Sequence, residues 1–322
     1  MSILRIQNMI DFPDNLKGGV VAIGNFDGVH RGHQSVLGQA VELARAKGVS
    51  ASVLTFEPHP RTFFKPDAPV FRLTDAATKA SLLEAIGFDC VVEHTFDAAL
   101  SSTPAEDFVN GLLVKQFGVS HVVTGYDFHF GRKRQGTPQF LMQAGEEAGF
   151  SATIVTAFND EDDQVVSSSR VRDCLARGDV SEANGLLGFS YRVNGEVIRG
   201  QQMGRTLGYP TANLSLPPET TLAHGIYAVR VKLEDGSMHT GVASFGRRPT
   251  FDNGEALFET FLFDFSGDLY GQTITVFVES WLRGEEKFDG AEALIEQMDK
   301  DCEEARTFLG TLGPEKGLWP IV

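Results

Sequence analysis

Two histidines three residues apart, His30 and His33, are well placed for chemistry in this sequence. They lie in the stretch Gly24-Asn25-Phe26-Asp27-Gly28-Val29-His30-Arg31-Gly32-His33, between an apolar run and a segment with apolar residues at helical spacing. The stretch is therefore predicted to be a turn from a buried strand into a helix. Such a helix start favours an anion, and two imidazoles can hydrogen-bond phosphate oxygens as negative charge develops. Surface polarity or part of a metal site is the alternative interpretation.

Other phosphate-binding motifs are absent from this region. Neither G-x-G-x-x-G nor a G-K-[ST] loop occurs, which excludes the usual dinucleotide and Walker signatures. Neither a cysteine nor a third histidine lies nearby at ligand spacing, which disfavours zinc.

Strand and helix patterns alternate five times through the first half of the chain, which predicts a parallel sheet covered on both faces. His59 and Asp127 each follow a predicted strand, at the sheet edge where open α/β proteins bind ligands. They are therefore candidate ligand contacts, and exposed loop residues are the alternative. Ser168, Arg170 and Arg172 open a later predicted helix and form a second phosphate-binding candidate. Simple capping by a serine, with both arginines facing solvent, explains them equally well.

After about residue 187 the pattern changes to strands with short turns and one closing helix, which predicts a small antiparallel barrel. A glycine-rich stretch, residues 200–214, ends in Pro210-Thr211-Ala212-Asn213. Thr211 and Asn213 point the same way in an extended chain, and their neutral oxygens suit Mg²⁺, which also takes water and phosphate ligands. An irregular loop between strands is the alternative.

Glu259 stands in the aromatic strand Phe258-Glu259-Thr260-Phe261-Leu262-Phe263. A carboxylate in such surroundings is unfavourable unless it has a partner or a task. It is predicted to act as a general base for a hydroxyl. A structural ion pair with Arg247, Arg248 or Arg283 is the alternative.

Composition narrows the class of protein. The chain has 322 residues, enough for two domains, and a net charge of −15 without a long basic run, which disfavours nucleic acid or an anionic membrane as main partner. Three distant cysteines, no long apolar segment and no signal-like start predict a cytoplasmic enzyme. The sequence does not indicate an oligomeric state.

The motifs together resemble the prokaryotic bifunctional riboflavin kinase/FMN adenylyltransferases (FAD synthetases) along nearly the whole chain. The resemblance is carried by F-D-G-V-H-R-G-H, T-F-E-P-H-P, D-F-H-F-G, S-S-S-R-V-R, G-R-T-L-G-Y-P-T-A-N-L, R-R-P-T-F, D-L-Y-G and R-G-E-E-K-F. It implies an α/β doubly wound parallel-sheet nucleotidyltransferase domain, residues 1–187. A small antiparallel β-barrel riboflavin kinase domain with a C-terminal helix, residues 188–322, would follow.

The resemblance also implies two reactions and their residues. ATP would phosphorylate riboflavin to FMN, and a second ATP would adenylylate FMN to FAD with release of pyrophosphate. Glu259, His30 and His33 would be catalytic, Arg283 would bind flavin, and Thr211 and Asn213 would hold Mg²⁺. Nucleotide or phosphate would be bound by Gly24, Phe26, Asp27, His59, Asp127, Ser168, Arg170, Arg172, Gly204, Arg205 and Thr211.

Three positions depart from the family pattern: Ser244 replaces the usual Asn, Phe261 a common His, and Ser169 the usual Thr. Competing hypotheses are one active module beside a flavin-binding unit, a non-catalytic flavin carrier, and a nucleotidyltransferase with another acceptor. The last leaves P-T-A-N unexplained.

Overall fold

A computed structural model describes residues 2–8, 12–200, 208–247 and 256–313 of the chain. These residues form two compact units, one up to Ser168 and one from Ser169 onward. The domain boundary predicted between residues 187 and 188 stays a prediction.

The first unit is built on a six-stranded sheet whose neighbouring strands are all parallel, in the order β1-β4-β3-β2-β5-β6. The order reverses beside β2, so ligands are expected at the carboxyl ends of the central strands. The strands are β1 (Leu4–Gln7), β2 (Val20–Ile23), β3 (Ala51–Glu57), β4 (Cys90–Thr95), β5 (His121–Gly125) and β6 (Ser151–Val155).

Helices cross between these strands and cover a core of buried aliphatic and aromatic side chains. Four crossing helices end at a glycine in the left-handed conformation, two or three residues before the next strand: Gly48, Gly87, Gly118 and Gly149. The helices are α1 (Arg31–Lys47), α2 (Pro60–Phe64), α3 (Ala76–Ile86), α4 (Ala98–Ser102), α5 (Ala105–Asp107, continuing as a π-helix over Phe108–Phe117) and α6 (Pro138–Ala148).

Some local predictions for the first unit are confirmed and others are wrong. The helix predicted from Thr137 begins there, because the Thr137 side chain accepts a hydrogen bond from the Phe140 N–H. A single helix predicted over residues 102–117 is instead interrupted, and Pro104 caps the second part. Asp75 rather than Thr74 caps α3. The edge strand β1 and the short helix α2 were not predicted.

The second unit begins with α7 (Ser168–Arg177), apart from its first residue, and α8 (Val180–Leu187). A six-stranded antiparallel barrel-like sheet follows, in the order β7-β12-β9-β10-β11-β8. Tyr227, Phe245 and Phe258 are fully buried inside it. The strands are β7 (Tyr191–Glu196), β8 (Thr211–Leu216), β9 (Gly225–Lys232), β10 (Met238–Arg247), β11 (Ala256–Leu262) and β12 (Thr273–Arg283).

The closing helix α9 (Ala291–Thr311) packs on the outer face of the sheet, against β9, β10 and β12. Ala305 and Leu309 of α9 form a buried cluster with Ala228 and Phe263. The predicted α/β parallel-sheet domain, followed by a small antiparallel barrel with a terminal helix, is thus confirmed. The strand predicted over residues 257–265 is shorter in the structure, because β11 ends at Leu262 and Asp264 has a positive φ of 54°.

Candidate active sites

The turn after β2 leads directly into α1 and brings the two predicted histidines together. His30 caps the helix: its Nδ1 accepts a hydrogen bond from the His33 N–H at 3.3 Å. The two imidazole rings stack with 3.6 Å between their centroids, and the edge of Phe26 meets His33. His30 is buried and His33 half-buried, so the pair forms one ordered surface at the amino end of a helix, where an anion is favoured.

The backbone of this turn is held in an unusual conformation. Phe26 and Val29 have φ values of 47° and 42°, in the left-handed region that side chains other than glycine rarely adopt. Gly28 also has a positive φ, and a Cβ there would lie 2.8 Å from the Leu73 side chain. Such strain persists only where the surrounding structure enforces it, and it is frequent at functional sites.

The Asp27 carboxylate points into the protein. It accepts hydrogen bonds from the N–H groups of Leu73 and Thr74 at 3.0 and 3.2 Å, and the Arg72 guanidinium lies 3.4 Å away. The Thr74 hydroxyl in turn accepts a bond from the Gly28 N–H at 3.0 Å. These contacts fasten the turn to the segment before α3, so Asp27 contributes to the shape of the turn.

A partly buried charged network that sequence reasoning missed lies beside the same turn. Glu57, at the end of β3, binds Arg72 through two hydrogen bonds of 2.8 Å and Lys79 through one of 3.1 Å. Burial would raise the pKa of Glu57, but hydrogen bonding to Arg72 and the charges of Lys79 and Arg72 outweigh it and lower the pKa from 4.5 to about 2. Glu57 therefore stays ionised in the folded protein.

This pKa predicts acid sensitivity of the first unit. Since the folded pKa of Glu57 lies below its unfolded value, its stabilising contribution is complete above pH 4.5 and is lost as pH falls towards about 2. We expect Glu57→Gln to remove this part of the pH dependence of the unfolding free energy, measured by urea titration at several pH values. Exposed Glu146→Gln is the control; equal pH dependence in Glu57→Gln and the parent would contradict the prediction.

The remaining predicted contacts of the first unit lie at the carboxyl ends of its strands. His59 caps α2 by accepting a hydrogen bond from the Arg61 N–H, and Asp127 is exposed after β5. The Ser168 hydroxyl, which belongs to the first unit, donates to the Asp27 carbonyl at 2.9 Å. Within the second unit Arg170 forms a 2.8 Å ion pair with Glu182, and Arg172 is half-buried.

An aromatic surface lies at the ends of β3 and β4. Phe63 and Phe64 of α2 contact Phe96 edge to face, with centroids 5.4 and 5.7 Å away, and Phe64 is 65% exposed. An exposed aromatic cluster at a ligand-binding edge can stack a flat ring. The sequence signal was a pair of adjacent phenylalanines shortly after Pro60.

In the second unit, strand register brings the predicted kinase residues into line. On β11, Glu259 lies between Asn213 of β8 and Ser244 of β10. Two positions along the same face, Phe261 lies between Thr211 and Val242. These side chains line a cavity of about 520 Å³ between the outer face of the sheet and α9. The cavity is therefore lined by a carboxylate, an amide and two hydroxyls on one part and by apolar side chains on another.

The donor set fits a hard cation that shares its ligands with phosphate. Asn213 is buried, and its Oδ1 has no hydrogen-bond partner among the described residues. A Cβ on Gly200 would lie 1.9 Å from Asn213 Nδ2, so glycine allows the backbone to approach the amide. In the described part of the chain no three His, Cys, Asp or Glu side chains form a metal-binding group. Mg²⁺ needs only one or two protein ligands beside water and phosphate.

Arg283, predicted to bind flavin, lies on the cavity wall at the end of β12. Its guanidinium donates two 2.7 Å hydrogen bonds to Asp301 of α9 and lies 5.9 Å from the Phe288 ring centroid. The hydrogen bonds and charge of Asp301 raise the pKa of Arg283 above its usual value. The described contacts of Arg283 thus hold α9 against the cavity, while Gly204 and Arg205 lie outside the described residues.

Removing the Arg283 guanidinium is expected to weaken both stability and flavin binding. Arg283→Met leaves the buried Asp301 carboxylate without its cationic partner, which should lower the unfolding free energy by about 3 kcal/mol. Adding Asp301→Leu should restore most of the stability but not the KM for riboflavin. Denaturant unfolding and kinase kinetics measure the two effects. Recovery of the parent KM in the double variant would show that Arg283 only supports α9.

Each unit thus carries its own candidate centre for phosphate chemistry, which defines a transferase with two nucleotide-dependent sites. Family models for FAD synthetase and riboflavin kinase match residues 12–170 and 187–309. The chain belongs to the bifunctional riboflavin kinase/FMN adenylyltransferase family, whose members phosphorylate riboflavin to FMN and adenylylate FMN to FAD.

Relatives match over nearly the full chain. The bifunctional riboflavin kinase/FMN adenylyltransferase of Pseudomonas fluorescens is 42% identical over 292 residues, 90% of this chain and 93% of the relative. That of Escherichia coli K12 is 36% identical, covering 98% of this chain and all of the relative. A Streptococcus pneumoniae crystal structure, described as a macrolide-efflux protein, superposes with a TM-score of 0.83 at 32% identity, covering 95% and 99% of the two chains.

Across the described residues, no helix is both long and apolar enough to cross a bilayer.

Proposed function

We propose that riboflavin is phosphorylated in the cavity between the barrel and α9, and that FMN is adenylylated at the turn between β2 and α1. The observation that supports the first assignment best is the alignment of Asn213, Glu259 and Ser244 on three adjacent strands that face one cavity. Residues 1–187 and 188–322 are the proposed extents of the two functional domains.

In the kinase centre Glu259 accepts the proton of the riboflavin 5′-hydroxyl as its oxygen forms a bond to the γ-phosphorus of ATP. The bond between that phosphorus and the β–γ bridging oxygen breaks, and ADP leaves. Thr211 and Asn213 would hold Mg²⁺ together with phosphate oxygens, and a bound ion would supply positive charge beside the transferred group. Gly204 and Arg205 contact the nucleotide, and Arg283 lies beside the flavin.

In the adenylyltransferase centre a phosphate oxygen of FMN attacks the α-phosphorus of ATP, and pyrophosphate leaves. His30 and His33 steady the charge that develops on the phosphates, with Gly24 and Phe26 shaping the turn around them. Ser168, Arg170 and Arg172 contact phosphate, and His59 and Asp127 contact the nucleotide. Because the FMN phosphate is itself a nucleophile, the step needs no covalent enzyme intermediate.

Asp27 contributes to this centre through the turn, since its carboxylate is bonded to residues 72–74. The surface formed by Phe63, Phe64 and Phe96 offers the isoalloxazine ring of FMN a stacking face at the same edge of the sheet.

A cytoplasmic location is part of the proposal, and it is supported by three cysteines that are all free thiols. Burial raises the pKa of the Cys90 thiol to about 12. The proposed ligands are riboflavin, FMN, FAD, ATP and pyrophosphate, without nucleic acid or membrane.

Product analysis tests the proposal directly. Purified protein incubated with riboflavin, ATP and Mg²⁺ should form FMN first and FAD later, as resolved by chromatography. Adenylylation of supplied FMN without any FMN formed from riboflavin would overturn the kinase assignment. Tight flavin binding without ATP consumption would overturn both assignments.

A further inference from the structure

The ammonium group of Lys79 lies inside the first unit, directly behind the turn between β2 and α1. The side chain has no exposed surface. Its Nζ lies 3.3 Å from the Asn25 carbonyl oxygen, 3.0 Å from the Thr55 hydroxyl and 3.1 Å from a Glu57 carboxylate oxygen. Thr55 also donates to the Asn25 carbonyl at 3.1 Å. Lys79 therefore connects the turn to the end of β3.

The same charges reach the turn by a second route. Glu57 binds Arg72, and Arg72 lies 3.4 Å from Asp27, two residues after Asn25. Two cations and two carboxylates alternate in this chain of contacts, so their formal charges cancel. The turn is thus held at Asn25 by Lys79 and at Asp27 by Arg72 and its neighbours.

Burying an ammonium group costs desolvation free energy, so bulk stability alone does not account for Lys79. Desolvation is its largest influence, and it lowers the pKa of Lys79 despite the opposing charge of Glu57. Buried ion pairs are often no more stabilising than apolar side chains of similar volume. The contacts of Lys79 do, however, fix a carbonyl inside a turn whose neighbouring residues Phe26 and Val29 have strained backbones. The contacts of Lys79 therefore serve to position the turn rather than to stabilise the whole unit.

We propose that Lys79 is a positioning residue for adenylyl transfer, acting through the Asn25 carbonyl and Glu57 to hold the turn that carries His30. This inference rests on the proposed location of the adenylyltransferase centre at that turn. Lys79 contacts neither substrate nor reacting atoms in this role. Its effect is to set where the backbone of residues 24–30 lies relative to the nucleotide phosphates.

The test is Lys79→Met in the full chain, with both activities measured. A displaced turn should lower kcat for adenylylation of supplied FMN by about a hundredfold and kcat/KM for ATP by the same factor, since the lost interaction acts in the transition state. Riboflavin phosphorylation by the same molecules should be unchanged. Measurements are made below the onset of thermal unfolding, so that loss of folded protein does not contribute.

Two further variants separate positioning from stability. Arg5→Met removes the partner of buried Glu93, 2.8 Å away on the outer strands, and it should lower stability without lowering kcat. Thr55→Val keeps the volume but removes the hydroxyl between Lys79 and Asn25, and it should lower kcat in the same direction by a smaller factor. If Lys79→Met and Thr55→Val reduce only the melting temperature, with kcat of the folded protein unchanged, the inference is overturned.

The histidine variants keep this outcome distinct from failure of the proposed function. If replacing His30 and His33 abolishes adenylylation while Lys79→Met does not affect it, only the positioning role fails. If the histidine variants retain adenylylation, the location of the centre fails, and the inference with it.

Discussion

Replacing Glu259 by glutamine is expected to lower the rate of riboflavin phosphorylation by about a thousandfold. Glutamine keeps the size and can still hydrogen-bond, but it cannot accept the proton of the attacking hydroxyl. Adenylylation of supplied FMN should continue at the parent rate, because Glu259 belongs to the second compact unit and the proposed adenylyltransferase turn to the first. Chromatographic measurement of FMN and FAD in two separate assays gives both rates.

The matched control is Glu196→Gln, which changes an exposed glutamate on β7 of the same unit. It should leave both activities intact. Parent-like phosphorylation by Glu259→Gln would show that the carboxylate is structural, as the alternative ion-pair interpretation holds. Loss of adenylylation as well would argue against separable centres.

Replacing His30 and His33 together by alanine should give the reverse result. Removing groups that stabilise developing charge at a phosphate lowers kcat by about a thousandfold, so FAD formation from FMN should fall by that factor. Phosphorylation of riboflavin should be unaffected, and FMN should accumulate when riboflavin and ATP are supplied. The stacked geometry of the rings also predicts that each single variant disturbs the other imidazole.

A general loss of stability must be separated from a loss of chemistry in this double variant. His121→Ala provides the comparison. His121 is buried, hydrogen-bonded to the Thr153 hydroxyl, and the first residue of β5, so it lies at the amino ends of the strands, away from the turn. It should lower the melting temperature without changing adenylylation of the folded protein. Unchanged FAD formation in the double histidine variant would remove the turn from the mechanism.

Much of the fold could be predicted from local chemistry. Buried strands such as β2 are continuous apolar runs, and helix starts such as Thr137 carry a capping side chain. Strand β1 escaped prediction because it is an edge strand of only four residues, mostly exposed, and the alternation of Leu-Arg-Ile-Gln is too short to be distinctive. Its pairing with β4 depends on contacts between residues more than eighty positions apart.

The candidate sites could be predicted only in part. Motif residues such as His30, His33 and Glu259 were accessible because their types are informative within a short segment. The network of Glu57, Arg72 and Lys79 was not, since its members come from three separate segments and a fully buried lysine is rare. No local pattern distinguishes such a lysine from an exposed one.

Strand register places two of the predicted departures from the family pattern next to the proposed base. Ser244 lies directly beside Glu259 on the neighbouring strand, and Phe261 lies two residues from Glu259 on the same face. Both therefore change the immediate surroundings of the proposed base: a shorter polar group on one side and an apolar ring on the other. The Tyr209 ring packs edge-on against Phe261, which explains how the apolar substitution is accommodated.

In the first unit, the turns that enter the strands differ from the turns that leave them. Gly48, Gly87, Gly118 and Gly149 all lie just before a strand, so the entry to β3, β4, β5 and β6 is specified by backbone conformation. The exits carry the proposed ligand contacts instead, and at the exit of β2 the backbone of Phe26 and Val29 is also strained. We therefore expect the entry turns to tolerate little change, since a side chain at a positive φ strains the backbone, whereas proposed ligand contacts at the exits, such as His59 and Asp127, can be exchanged without altering those turns.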